Sequence, residues 1–123
     1  MLGNMLPTSD NPVRLAEEIA MLDVILSGRI ISGFVRGIGI ESWAKNTNPV
    51  HNRERFEECH DLIIKTWTTP GPFRWGGKHY QYRAVNPWML PVQQPHPPVW
   101  ATPCRFESDL RHHLFQIRNS PLR

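Results

Sequence analysis

Between residues 12 and 26 the apolar positions Leu15, Ala16, Ile19, Leu22 and Leu26 recur at spacings of three and four, while Arg14, Glu17, Glu18 and Asp23 fall largely elsewhere. That period predicts an amphipathic helix with one buried side. Asn11-Pro12 starts it: an Asn side chain can accept an orphan backbone N–H, and Pro at the first helical position loses no hydrogen bond. Ser27-Gly28 closes it, because Gly tolerates the left-handed conformation that ends helices. Residues 1–6 form a short apolar stretch before Pro7 and a turn-rich Thr8-Ser9-Asp10-Asn11, and read as the end of a strand. Ile30-Ile31-Ser32-Gly33-Phe34-Val35 is apolar on both alternating faces, as expected of a strand buried on both sides in a parallel sheet.

Arg36-Gly37-Ile38-Gly39 ends that strand in a loop expected to run to Asn48. Residues 49–67 predict a second helix, with Phe56, Cys59, Ile63 and Trp67 on one face and Arg53, Glu54, Glu57, Glu58 and Asp61 mostly solvated. Phe73-Arg74-Trp75, Gly76-Gly77 and His79-Tyr80-Gln81-Tyr82 alternate around two glycines, a hairpin signal. Residues 91–98 run extended and Pro-rich into Val99-Trp100-Ala101, the start of another strand. Strands alternating with helices of this length argue for an α/β protein with parallel strands.

Of the 12 prolines among 123 residues, eight fall between Pro70 and Pro103, which separates a regular first part from an irregular later one. The formal charge of +3 is uneven, with seven basic against nine acidic residues up to Thr69 and seven against two from Pro70 onward. The later cations are scattered singly, so no nucleic-acid footprint forms, and the steep salt dependence of such binding is not expected. No apolar run has the length of a membrane span, and the first residues lack the basic and apolar regions of a signal peptide. Cys59 and Cys104 stand apart without a CxxC pattern, which suits free thiols in a reducing cytoplasm.

Candidate chemistry is sparse. In an open parallel sheet or barrel, ligands bind at the carboxyl ends of the strands, where Arg36 and two glycines could receive a phosphate. The plain alternative there is a turn with a solvated arginine. Asn46-Thr47-Asn48-Pro49 caps the second helix, and Arg53 in its first turn could hold an anion, or could simply pair with Glu57 four residues on. The histidines His51, His60, His79, His96, His112 and His113 show no HExxH and no convergence on a carboxylate, so no metal site is expected. Cys59 reads as a packing residue and the five Trp as mostly core or loop-packing residues.

Taken in order, Asn4-Met5-Leu6-Pro7, Asn11-Pro12-Val13-Arg14-Leu15-Ala16-Glu17-Glu18, Leu26-Ser27-Gly28-Arg29 and Phe34-Val35-Arg36-Gly37 resemble the bacterial luciferase-like family of flavin-dependent monooxygenases. Asn52-Arg53-Glu54-Arg55-Phe56-Glu57-Glu58, Trp75-Gly76-Gly77-Lys78-His79-Tyr80 and Gln93-Gln94-Pro95-His96-Pro97-Pro98-Val99 extend the likeness to about residue 100. The resemblance implies a (β/α)8 TIM barrel that binds reduced FMN, supplied by a separate flavin reductase, and uses oxygen to oxidise a small organic substrate. It implies cofactor contacts at Asn4 and Met5 beside the isoalloxazine, Val35 near its reactive face, and Arg36 and Arg53 at the phosphate. Between flavin and the related deazaflavin, the pair Asn4-Met5-Leu6-Pro7 and Phe34-Val35-Arg36-Gly37 leans to flavin. The residues carrying the family's catalytic chemistry are not identified in this chain.

Such a barrel takes about 250 residues, so the chain is expected to hold a partial barrel, roughly strand 3 to the start of strand 5, with a β-hairpin insertion. Both ends look cut. The expected division is a partial luciferase-like domain over residues 1–100 and a divergent tail over 101–123, where the family pattern stops abruptly in a way that suggests a frameshift or truncation. A different class of function stays open: a small non-catalytic interaction protein whose open strand edges pair with another copy, as a homo-oligomer, or with another chain.

Overall fold

A computed structural model of the chain describes residues 2–6, 11–37 and 39–101. Its elements in order are β1 (Leu2–Met5), α1 (Pro12–Ile25), β2 (Ser32–Val35), α2 (Gly39–Ala44), a 3-10 turn (Pro49–His51), α3 (Asn52–Thr68), β3 (Phe73–Gly76), β4 (Gln81–Val85) and β5 (Val99–Ala101). The strands form a three-stranded parallel sheet in the order β1-β2-β5 and a separate antiparallel β3-β4 pair. This is the mixed α/β architecture that the alternation predicts. Among the described residues there is no closed barrel, and no helix is long and apolar enough to cross a membrane.

The central strand, expected to be buried on both sides, is fully buried on its helix side and leaves Val35 half-buried on the other. In the parallel register Asn4 lies beside Phe34 and Met5 beside Val35, while Ser32 and Gly33 lie beside Val99 and Trp100. Side chains alternate along a strand, so these neighbours share faces. One face meets the helices: Phe34 is fully buried, with its ring 6.4 Å from Trp67 and 6.0 Å from His60 of α3, and Leu6, Ile30 and Val99 join the same core. The other face carries Met5, Val35 and Trp100, and Trp100 is 56% exposed.

The two long helices pack on each other through Ala16, Ile19 and Ala20 of α1 and Cys59, Leu62, Ile63 and Trp67 of α3. Each fully buried Ile or Leu contributes about 1.5–3 kcal/mol. Trp67 adds a bond of direction, its Nε1–H donating to the Ala16 carbonyl at 2.9 Å. Asn11 caps α1 as its sequence predicts, its Oδ1 accepting the Arg14 N–H at 3.1 Å, with Pro12 in the first turn. At the other end Ser27 and Gly28 both have positive φ, and Gly28 N–H returns to the Asp23 carbonyl at 2.8 Å.

Several expectations are corrected. Asp23, expected among the solvated positions of the first helix, is fully buried, whereas Leu26, expected on its apolar face, is exposed. The cause is the Pro-rich strap over 86–98: Gln93 donates to Asp23 through its backbone N–H at 3.0 Å and its Nε2–H at 2.7 Å, and also reaches the Ile30 carbonyl. The expected loop over 36–48 contains the six-residue α2, whose Ile40 and Trp43 are exposed, so no apolar stripe announces it. The core expectation for Trp fails at Trp43, Trp88 and Trp100, all exposed, and holds for Trp67. Glu58, expected to be solvated, is partly buried under the hairpin. The hairpin itself does not turn on Gly76-Gly77: Gly76 ends β3, and the connection is a four-residue loop in which Gly77 N–H donates to the Tyr80 carbonyl at 3.0 Å. Gly77 is required for a different reason, since a Cβ there would overlap the Glu58 carboxylate. The expected tail lies outside the described residues except for Ala101.

Candidate functional site

Two segments meet at the carboxyl end of the parallel sheet. The first is the exit of β2, where Arg36 follows Val35 and Gly37 turns the chain with φ +73°. A Cβ on Gly37 would come within 2.8 Å of both Met5 Sδ and Glu41 Oε2, so glycine is needed for space as well as for conformation. The second is the start of α3. Asn48 accepts the Val50 N–H at 3.0 Å and so opens the 3-10 turn, whereas α3 itself, which the Asx-rich segment was expected to cap, begins after His51 without a side-chain cap. α2 is tied to this second segment: Asn52 Nδ2–H donates to Ser42 Oγ, and Thr47 donates to the Ser42 carbonyl from both its N–H and its hydroxyl. These bonds compensate for the missing apolar stripe of α2.

Between the segments lies a cleft of about 370 Å³ lined by Arg36, Gly37, Gly39, Pro49, Val50, Asn52 and Arg53. Arg36 and Arg53, separate anion candidates in the sequence, therefore line one space. Arg53 Nε donates to Glu57 at 3.1 Å, so the pairing alternative is also realised, on a half-exposed surface where such a pair is worth little. Among the described residues no ion pair or hydrogen bond engages the Arg36 side chain. Arg53 sits in the first turn of a 17-residue helix, whose N-terminal backbone dipoles add to the positive field. Asn52, 7% exposed, leaves its Oδ1 buried without a partner. Sequence reasoning passed over Asn52, because a polar residue beside a helix start reads as a surface position. None of the described lining residues carries a carboxylate, imidazole, thiol or hydroxyl, and the two guanidiniums suit the cleft to an anion.

The other three candidates stand apart from this cleft. Met5 and Val35 are half-buried neighbours on the face of the sheet away from the helices. Asn4 lies beside Phe34 on the helix side, with its Nδ2 buried and unpartnered. Cys59 is a packing residue as expected: it is fully buried, and burial pushes its thiol up to about 12.

The expectation that the histidines do not converge is corrected. His79, on the β3–β4 connection, comes to Glu54 Oε2 at 2.9 Å, and His51, three residues before Glu54, stands 3.9 Å from the same oxygen. Lys78 Nζ also reaches that oxygen, at 2.7 Å. The hydrogen bond from Lys78, with that of His79, holds the Glu54 carboxyl down at about 2. No spacing rule could have found this group, because its third member is brought in by the hairpin 25 residues on. His112 and His113 lie outside the described residues.

The family model described as "luciferase-like monooxygenase" matches residues 1–103. The chain is 28% identical to the oxygenase component of a flavin-dependent trigonelline monooxygenase from Acinetobacter baylyi, over 89% of this chain and 29% of that protein. It is 34% identical to an alkanal monooxygenase beta chain from Photorhabdus luminescens, over 82% of this chain and 32% of that one. The crystal structure of monooxygenase RslO1 from Streptomyces bottropensis superposes with a TM-score of 0.73 at 30% identity, covering 79% of this chain and 30% of that chain. The chain thus spans about a third of the length of the relatives it matches.

Proposed function

This chain belongs to the luciferase-like monooxygenase family, and from that premise we propose that it forms the part of a flavin-dependent monooxygenase that seats the phosphate end of reduced FMN. The observation that carries the reading is that Arg36 and Arg53 line one cleft at the carboxyl end of a parallel sheet. Two guanidiniums and a helix N-terminus suit a phosphate dianion. The unpartnered Asn52 Oδ1 suits a hydroxyl donor, which the ribityl chain of a flavin nucleotide has. The residues present therefore fit that end of the cofactor.

In this reading the fold is a partial (β/α)8 barrel over residues 1–100, roughly its third strand to the start of its fifth, and 101–123 is a divergent tail. The sheet face bearing Met5, Val35 and Trp100 is then the barrel interior, with Met5 and Val35 toward the isoalloxazine. Asn4 takes part at the end of its strand, from the helix side. Bound reduced flavin supplies the activation of oxygen for insertion into an organic substrate. The residues of this chain bind and orient: Arg36 and Arg53 fix the phosphate, and the apolar Met5 and Val35 keep water from the sheet face. A separate reductase provides the reduced cofactor, a reading supported by the relative whose name makes it an oxygenase component. A cytoplasmic setting belongs to the same reading.

Anaerobic titration of the chain with reduced FMN tests it. Saturable binding that weakens in Arg36→Ala and Arg53→Ala supports the proposal. Absence of binding by monomer and oligomer alike, with both variants inert, would leave the non-catalytic pairing protein as the better description.

A further inference from the structure

His51, Glu54 and His79 offer one ligand atom each, and the three atoms all lie within 4.8 Å of one another. We propose that these residues form a binding site for a divalent cation of the zinc class, outside the flavin cleft, that clamps the β3–β4 hairpin to the start of α3.

The chemistry of the set is selective. Two imidazoles and a carboxylate suit zinc-like ions, whereas calcium and magnesium prefer all-oxygen cages. Three protein ligands leave a fourth tetrahedral position for water. Zinc bonds of about 2.0–2.1 Å need ligand atoms about 3.3–3.5 Å apart. The Glu54–His79 separation of 2.9 Å and the Glu54–His51 separation of 3.9 Å bracket that requirement.

The backbone already holds the ligands in place. His51 ends the 3-10 turn and Glu54 follows in the first turn of α3, so a spacing of three keeps them on one side. His79 is fixed independently, because its backbone N–H donates to Glu58 Oε2 at 2.8 Å, one helical turn beyond Glu54. Its side chain is only 15% exposed, and its ring centroid is 5.6 Å from that of His51. Closing the site therefore needs only side-chain rotation at His51 and Glu54, both about half exposed.

One competitor is built in. Lys78 Nζ occupies the Glu54 oxygen at 2.7 Å, on a side chain that is 68% exposed and free to swing into solvent. An entering cation replaces this ammonium, so removing it should strengthen binding.

Titration of the full chain with Co²⁺, read by its visible absorption, and with Zn²⁺, read by calorimetry, tests the site. The expected result is one equivalent, bound at least tenfold more weakly by His51→Ala and by His79→Ala, and several-fold more tightly by Lys78→Met. Zinc should also raise the unfolding temperature of the unaltered chain but not of His51→Ala, whose exposed position should leave folding intact. A His112→Ala/His113→Ala variant should bind as the unaltered chain does. Binding unchanged by His51→Ala and His79→Ala, or no binding at all, overturns the proposal. Because no flavin takes part, failure here leaves the reading of the cleft untouched.

Discussion

Glu58 Oε1 accepts the backbone N–H of Tyr80 at 2.9 Å, so a carboxylate in the middle of α3 caps the connection between β3 and β4. The same carboxylate takes the His79 N–H at 2.8 Å and the Trp75 indole N–H at 3.2 Å. Lys65 completes the attachment from the same helix, its ammonium 5.0 Å from the Phe73 ring centre and 5.6 Å from that of Trp75. A two-stranded hairpin is marginal by itself; this one is held by a helix.

Replacing Glu58 with Ala strands three donors that are partly buried. Loss of about 1–3 kcal/mol of stability is expected, measured by urea unfolding, with Glu58→Gln losing less because its amide oxygen can still accept. Gly77→Ala should destabilise as well, since its Cβ would collide with the same carboxylate.

The same contact predicts a pH dependence. Burial pulls the Glu58 carboxyl upward, but the His79 and Tyr80 N–H groups and the Trp75 indole outweigh it and hold it below the ordinary 4.5. A carboxylate depressed in the folded state contributes stability above its unfolded pKa and loses it as pH falls through the folded value. Unfolding scans with a chelator present should show an acid-side loss that begins below about pH 4.5 and is smaller in Glu58→Gln. An identical acid limb in the variant would count against this assignment.

Asp23→Ala removes the acceptor of the Gln93 N–H and one of the two acceptors of its side-chain amide, which keeps only the Ile30 carbonyl, in the strap that leads to β5. A loss of about 2–3 kcal/mol is expected. Hydrogen exchange should quicken first at Gln93 and along the β2–β5 pair, because the strap delivers β5 to its place. Uniform destabilisation without local opening would show that the strap is not anchored here.

At the proposed phosphate cleft, Arg36→Ala and Arg53→Ala are each expected to weaken reduced FMN binding roughly ten- to a hundredfold, the range for a charge-assisted hydrogen bond. Gly37→Ala should cost about 1–2 kcal/mol from its positive φ alone. It should also weaken binding, because its Cβ would press on Met5 and Glu41. Parallel unfolding and binding titrations separate the two effects.

Cys59 should resist thiol reagents in the folded chain, being fully buried with its thiol raised to about 12. In a Cys104→Ser background, labelling should appear only on denaturation. Fast labelling under native conditions would mean that α3 opens readily.

Local pattern made much of this legible. The three-and-four spacing of Ala16 and Ile19 and the Asn11-Pro12 start report on short-range geometry and appear as predicted, whereas the two-faced apolar run through Phe34 forms its strand with only the helix side fully buried. The alternation around Gly76-Gly77 located the hairpin but misassigned its turn, because the loop conformation answers to Glu58, nearly twenty residues away. α2 leaves no such mark, because Ser42 holds it through its hydroxyl to Asn52 and its carbonyl to Thr47, and polar bonds have no hydrophobic period.

By itself the sequence determined the order of the strands and of the two long helices, the burial of Phe34 in the β2 segment and the residue types able to meet an anion, since each depends on neighbours a few positions apart. Only the tertiary structure decided that Asp23 is buried, that Arg36 and Arg53 share one cleft, and that His79 meets His51 across Glu54. Each of these depends on contacts between segments distant along the chain, made when β2, α3 and the strap pack together. Periodicity records which face of an element is apolar; it carries no record of which distant polar group will arrive there.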